Sequence, residues 1–351
     1  MRARTTLGAA ALIVGAVIAG LATPAQAGQA DPFTAAAAEF DVPRDLIVAV
    51  GYGETRLDGH GGAPSQDNGF GVMHLVSNPS RHTLERAARL TGEPVAELRT
   101  DTAANVRGGA AVLRAMADEH GLSGADRDRL GAWYPVVASY GGAADDRVAR
   151  MYADMVYDLL RAGVDARGVT AEARDVLPEL GRFASVRALD EGAGALDYPG
   201  AIWNPAHSAN FAAGRTDTIR TVVVHVTQGS YAGSISWFQD PASQVSAHYV
   251  IRSSDGEITQ MVHDQDTAWH ARSANASSIG IEHEGWIDDP AWFTETMYRS
   301  SAALTAWLCD TYGLAKTRDV IVGHSEVPGN DHTDPGPNWD WDHYMSLVNG
   351  G

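Results

Sequence analysis

The sequence predicts an α/β domain built on a mixed central sheet with flanking helices, preceded by an all-α domain. Three observations carry this: β-branched runs concentrated after residue 198, apolar residues at helical spacing before residue 164, and an uneven distribution of histidine and tryptophan. Four of the thirteen His and one of the nine Trp precede residue 200. Two parts with different tasks are therefore expected over 31–164 and 198–351. The stretch 165–197 between them is rich in Gly, Ala and acids with weak periodicity, and reads as a linker.

The helical part is expected to contain helices over Phe33–Phe40, Leu46–Gly53, Val106–Met116 and Val148–Leu160, with Pro43 suited to the first turn of the second. A polar, Gly-rich stretch from Asp58 to Gly71 is expected to line a cleft. In the second part, strands are expected over Thr221–Val226, His248–Arg252, Ile258–Val262, Ile279–Glu282 and Val320–Gly323. Asp255-Gly256 supplies a hairpin turn. Helices are expected around Ser234–Phe238 and over Thr294–Tyr312, the latter stopping at Gly313.

With 351 residues, 44% hydrophobic, 20% charged and a formal charge of −18, the chain has ample material for packed cores and carries its acidity on surfaces. Such a balance opposes binding to nucleic acid or anionic lipid, which need clustered Arg and Lys. Arg2 and Arg4 precede the apolar run Leu7–Leu21, and Ala25-Gln26-Ala27 has the small-x-small pattern of a signal-peptidase site. Residues 1–27 are thus expected to be a signal peptide whose removal releases a secreted, wall-associated monomer with no membrane anchor. Losing those two arginines takes the charge from −18 to −20. Cys309 is the only cysteine, so no intramolecular disulfide forms, and its helical setting predicts a buried, inert thiol.

Two groups of residues carry candidate chemistry. Glu54 ends an otherwise apolar helix beside the Gly-rich stretch, where a desolvated carboxyl would have a raised pKa and could protonate a glycosidic oxygen; a solvated helix-terminal Glu is the alternative. His225 ends a strand, His324 follows another, and Asp334 lies ten residues beyond. Two imidazoles and a carboxylate form the ligand set of a catalytic zinc that keeps one position open, lowers the pKa of its water and polarises a carbonyl. Satisfied structural histidines are the alternative.

Motifs sharpen both. Val42-Pro43-x-x-Leu46, Gly53-Glu54-Thr55-Arg56, Gly69-Phe70-Gly71-Val72-Met73-His74-Leu75, Asn105-Val106 with Gly108-Gly109, and Ala138-Ser139-Tyr140-Gly141-Gly142 resemble the lysozyme-like lytic transglycosylases. The resemblance implies that Glu54 is the single acid and base of glycan cleavage. Thr55 replaces the family's Ser, His74 its Gln, and Tyr140-Gly141-Gly142-Ala143 its Tyr-Asn-Ala-Gly.

His225-Val226-Thr227, Ser246-Ala247-His248-Tyr249, Trp269-His270-Ala271, Ser278-Ile279-Gly280-Ile281-Glu282, Gly323-His324-Ser325-Glu326 and Thr333-Asp334-Pro335-Gly336 resemble the zinc-dependent N-acetylmuramoyl-L-alanine amidases, a family that includes phage lysozyme-type amidases and peptidoglycan-recognition proteins. The resemblance runs from about Tyr198 to His343. It implies one Zn2+ on His225, His324 and Asp334, peptidoglycan as partner, and hydrolysis of the bond between muramic acid and L-alanine. Glu282 takes the place of the general base, and His332 stands where many members carry an oxyanion-stabilising Lys; the chain's one Lys is Lys316, outside every motif. His332 as a competing zinc ligand is the alternative. Trp269, His270 and Tyr249 are expected to bind substrate, with His270 in a structural hydrogen-bonded pair as the alternative. Since His248 and Tyr249 point to opposite sides, one is core and the other faces the site. His283-Glu284 superficially resembles a metalloprotease motif, but position 287 is Ile287 rather than His. Two other functions stay open: an enzyme that also cuts glycan with Glu54, and a wall-binding recognition protein without turnover.

Overall fold

Helices occupy the first part of the chain where the 3.6-residue spacing of apolar side chains places them. The computed structural model describes residues 31–186 and 196–351, so the expected signal peptide and residues 187–195 of the expected linker lie outside the described residues. The first part runs α1 (Pro32–Phe40), α2 (Arg44–Thr55), β1 (Gly69–Phe70), β2 (Leu75–Val76), α3 (Thr83–Thr91), α4 (Val95–Thr100), α5 (Thr102–Glu119), α6 (Gly124–Arg127), α7 (Tyr134–Tyr140), α8 (Asp146–Ala162), β3 (Val164–Ala166) and β4 (Val169–Ala171). Every residue from Leu46 to Gly51 of α2 is buried, as an all-round apolar helix must be, and the surrounding helices form its jacket.

This part is not purely helical. β1 and β2 form a small antiparallel hairpin, held by Asn105: its Oδ1 accepts from the Met73 amide at 2.7 Å and its Nδ2 donates to the Phe70 carbonyl at 2.9 Å. β3 and β4 form another within the segment expected to be a linker, and Val164, Ala171, Val176 and Phe183 are buried in the helical core. Burial of Ala171, Val176 and Phe183, which lie within 165–197, ties that part of the segment to the helices.

The second part runs β5 (Ala201–Trp203), β6 (Phe211–Ala212), β7 (Thr221–Val226), α9 (Tyr231–Gln239), β8 (Tyr249–Ile251), β9 (Ile258–Gln260), β10 (Thr267–Ala268), β11 (Ser278–His283), α10 (Glu295–Tyr312), β12 (Ile321–Gly323) and α11 (Trp341–Val348). Six strands form one mixed sheet in the order β12-β7-β11-β8-β9-β5. Neighbours from β12 to β8 are parallel, β8 and β9 pair antiparallel through the expected turn, and β5 lies parallel to β9. The two-residue alternation of strands then sorts the side chains. Val222, Val224, Ile279 and Ile281 enter a core with Met297, Leu304 and Leu308 of α10 and Tyr344 of α11, whereas His225 and Glu282, paired in register, share the other face. Cys309 is buried in the same core, where desolvation pushes its thiol pKa up. Thr294 caps α10, its Oγ1 accepting from the Met297 amide at 3.2 Å, and Gly313 ends it at φ 66°. Among the described residues no helix is long and apolar enough to cross a membrane.

A third apolar cluster joins the two parts. Val148 of α8 packs with Tyr231, Ile235 and Phe238 of α9, with Val250 of the sheet and with Met261 just past β9. The shared core predicts that Ile235→Ala costs about 2–5 kcal/mol. In urea, the helical and sheet parts of that variant are expected to unfold in one transition at a lowered midpoint, read by far-ultraviolet dichroism and tryptophan fluorescence together.

Candidate functional site

The carboxyl ends of three adjacent parallel strands converge on one spot, the usual place for a site in such sheets. His225 lies near the end of β7, Glu282 beside it on β11, and His324 just past β12. The loop after His324 returns Asp334 to them, fixed by the Ser325 amide donating to the Asp334 carbonyl at 2.8 Å. His225, His324 and Asp334 are all buried, and one ligand atom from each lies within 4.8 Å of the others. The Asp334 carboxylate faces both rings, with Oδ2 3.3 Å from His225 Nδ1 and Oδ1 3.1 Å from His324 Nδ1.

The surroundings of these groups test whether they suit a cation. His225 Nε2 lies 2.9 Å from His270 Nδ1, and His270 Nε2 lies 3.3 Å from Ser278 Oγ. A proton on Nε2 of each ring satisfies both contacts and makes His225 Nδ1, which faces the carboxylate, the ligand atom when a metal is bound. Burial depresses the pKa of His225 to about 4, so the ring is neutral near pH 7. Burial opposes ionisation of Asp334 too, but hydrogen bonds from His225 and His324 outweigh it and hold the carboxyl well below its ordinary range. Two imidazoles and an ionised carboxylate that converge in this way form the donor set of a metal site, and His270 is the outer partner that fixes the ring of His225. His283 adds a second restraint. Its Nδ1 lies 2.7 Å from the His225 carbonyl and its Nε2 2.6 Å from Ser301 Oγ, while burial keeps it neutral by lowering its pKa to about 3. Gly280 makes room for this arrangement, since a Cβ there would lie 2.5 Å from the His270 ring.

These residues form the floor of a cavity of about 580 Å³, whose walls include Gln66, Trp237, Trp269, His270, Glu282 and His332. Burial and the nearby Asp334 carboxylate push Glu282 up to about 8, against the hydrogen bond from Gln66; a cation among the ligands would act in the opposite sense. His332 is half exposed and stacks on His324 with ring centroids 4.4 Å apart. It is not one of the converging ligands. Trp269 and His270 line the cavity, whereas Tyr249 does not. Its ring is fully buried in the sheet core and its hydroxyl donates to Asp264 at 2.9 Å; His248, on the opposite side, is buried as well, its Nδ1 accepting from the Gly280 amide at 3.0 Å.

Glu54 is also placed differently from the expectation. It is 2% exposed and faces no cleft. Its Oε1 accepts from Tyr152 at 2.8 Å, and its Oε2 accepts from Ser230, the N-cap of α9, at 3.0 Å. His74 lies between two acids, with Nδ1 3.3 Å from Glu54 and Nε2 3.0 Å from Asp67, whose other oxygen is paired with Arg81 at 3.4 Å. The carboxylate expected to face a cleft is thus built into the junction with the sheet part, both of its oxygens engaged there.

A family model described as N-acetylmuramoyl-L-alanine amidase matches residues 215–337. N-acetylmuramoyl-L-alanine amidase A of Achromobacter lyticus is 43% identical over 174 residues, which cover 45% of this chain and 98% of that protein. The 1,6-anhydro-N-acetylmuramyl-L-alanine amidases AmpD of Haemophilus influenzae and Escherichia coli are 39% and 40% identical over 113 and 114 residues; in each case 30% of this chain matches 59% of the relative's length. A solved structure of a selenomethionine AmpD derivative aligns with 46% of this chain and 99% of its own at 29% identity, with a TM-score of 0.37.

The buried charge network makes a pH prediction. Burial would strip the proton from His74, but Asp67 and Glu54 outweigh it and raise its pKa above the ordinary 6.5. A raised histidine contributes its full stability below about pH 6.5 and loses it as pH climbs through the folded value. The urea midpoint is expected to decline above about pH 6.5, and His74→Gln to flatten that decline.

Proposed function

The chain belongs to the N-acetylmuramoyl-L-alanine amidase family, and we propose that it is a peptidoglycan hydrolase that cleaves the amide between N-acetylmuramic acid and the L-alanine of the stem peptide. The observation that carries this reading is the convergence of His225, His324 and Asp334 in a buried cluster beside a carboxylate, Glu282, on the floor of an open groove. The full ligand set favours an enzyme over a recognition protein without turnover.

We assign one zinc ion to His225, His324 and Asp334. When bound, it supplies Lewis-acid polarisation of the scissile carbonyl and a water acidic enough to lose a proton near neutral pH. The chain's own residues do the rest. Glu282 takes the proton from the attacking water and delivers it to the departing alanine nitrogen as the C–N bond breaks, yielding a lactyl carboxylic acid and a free amine. A carboxyl with a raised pKa suits both halves of that transfer. His332, on the rim beside His324, donates a hydrogen bond to the developing oxyanion, and Trp269 offers an apolar face to sugar or stem peptide.

The helical part is read as lysozyme-like in fold and as a support for the amidase groove, since both oxygens of Glu54 are engaged inside the protein. The amino-terminal segment is read as an export signal, so that the enzyme acts as a secreted monomer at the wall.

Two experiments test these assignments. Chelation of the metal is expected to abolish release of stem peptides from purified sacculi, with zinc restoring it, and Glu282→Gln is expected to lower kcat about a hundredfold or more while zinc content stays at one per chain. Mass spectrometry of the digest is expected to show free stem peptides without anhydromuropeptides, with the same pattern for wild type and Glu54→Gln.

A further inference from the structure

One wall of the groove does not come from the sheet part. Pro64, Ser65 and Gln66 belong to the polar loop after α2, in the helical part, yet they line the same cavity as His225, Glu282, His324 and Asp334. Gln66 is itself a surface residue, but its side chain reaches inward, and Nε2 donates to Glu282 Oε1 at 3.1 Å. Among the described residues no other side chain donates to Glu282, and its second oxygen, Oε2, is buried without a partner.

The loop is built to hold that amide in place. Gln66 sits between two buried residues, Ser65 and Asp67, whose side chains hydrogen-bond to each other at 2.6 Å. Ser65 Oγ also accepts from the Gly69 amide at 2.7 Å, the Ser65 amide donates to the Gly69 carbonyl at 2.9 Å, and Asp67 is paired with His74 and Arg81. The terminal torsion of a glutamate is broad, so an unrestrained carboxylate would spread its lone pairs over many directions. A donor fixed on Oε1 selects one rotation and leaves Oε2 as the oxygen free to take a proton.

We propose that Gln66 is a positioning residue for the amidase reaction: the helical part reaches across the junction and orients the general base from its far side. This rests on the amidase reading above. Among the described residues Gln66 has no hydrogen bond to a metal ligand, and it moves no proton; it acts through Glu282.

The test uses the full-length zinc-loaded protein and a soluble muropeptide, with Gln66→Ala and Gln66→Glu compared for kcat and KM. Gln66→Glu keeps the size of the side chain but sets a carboxylate against a carboxylate. Both variants are expected to lose about tenfold in kcat, with KM within about twofold of wild type and with zinc content and urea midpoint unchanged. A Gln66→Glu protein with wild-type kcat would mean that the side chain only fills space, and the proposal falls. It falls equally if Gln66→Ala leaves kcat unchanged, raises it, or alters only KM. Failure of the wild-type protein to release any peptide would count against the amidase reading itself, a result the variants cannot mimic because each is scored against an active parent.

Discussion

Asp334 brings a negative charge into a place from which water is largely excluded, and the rings of His225 and His324 are what meets it there. One ring nitrogen each from His225 and His324 converges with the carboxylate, a donor set complementary to a cation. The rest of the site serves that requirement. His270 holds the outer nitrogen of His225, His283 holds its carbonyl, and residue 280 must be glycine so that the His270 ring can lie against the strand. Burial, and after it the same buried charge, raises the pKa of Glu282, giving a second carboxyl nearby the opposite protonation preference. Two acids of similar intrinsic strength are thereby set to different tasks by their surroundings.

The junction between the two parts repeats this logic without a groove. Glu54 and Asp67 are buried acids, and His74, Arg81, Tyr152 and Ser230 supply the donors that make their burial tolerable. His74 is what makes the site self-sufficient in charge. A neutral amide could not balance two carboxylates, whereas a protonated imidazole between them does.

Much of this was legible in the sequence, and the limits have physical causes. Strands β7, β8, β9, β11 and β12 and helix α10 with its Thr294 and Gly313 caps carried strong periodic and capping signals, and they lie where those signals put them. β5, β6 and β10 have two or three residues each, too few for alternation to register, and α3, α4 and α7 have only six to nine residues each, too short for a sustained helical period. The ligand trio stood at strand ends and could be assigned. Tyr249 was misplaced because alternation says that His248 and Tyr249 face opposite ways without saying that both faces are covered. Glu54 was misplaced for a related reason: a carboxyl at the end of an apolar helix reads the same whether the space beyond it is a cleft or another part of the protein. The roles of His283 and Gln66 gave no local signal, since each depends on a neighbour dozens to hundreds of residues away.

Ser230 has two obligations at once: it caps α9, its Oγ accepting from the Gly233 amide, and it donates to Glu54. Nearby, the guanidinium of Arg56 lies over the Trp292 ring at 3.9 Å and His60 stacks on Trp286 at 3.6 Å, so the helical part also shields two indoles of the sheet part. An amidase fragment cut out at the boundary that the sequence suggests would therefore shed more than an accessory. It would expose two tryptophans to self-association and leave the start of α9, with the groove residue Trp237 on it, less firmly anchored. For anyone trimming the chain into a minimal catalyst, the practical unit is the entire stretch from α1 to α11.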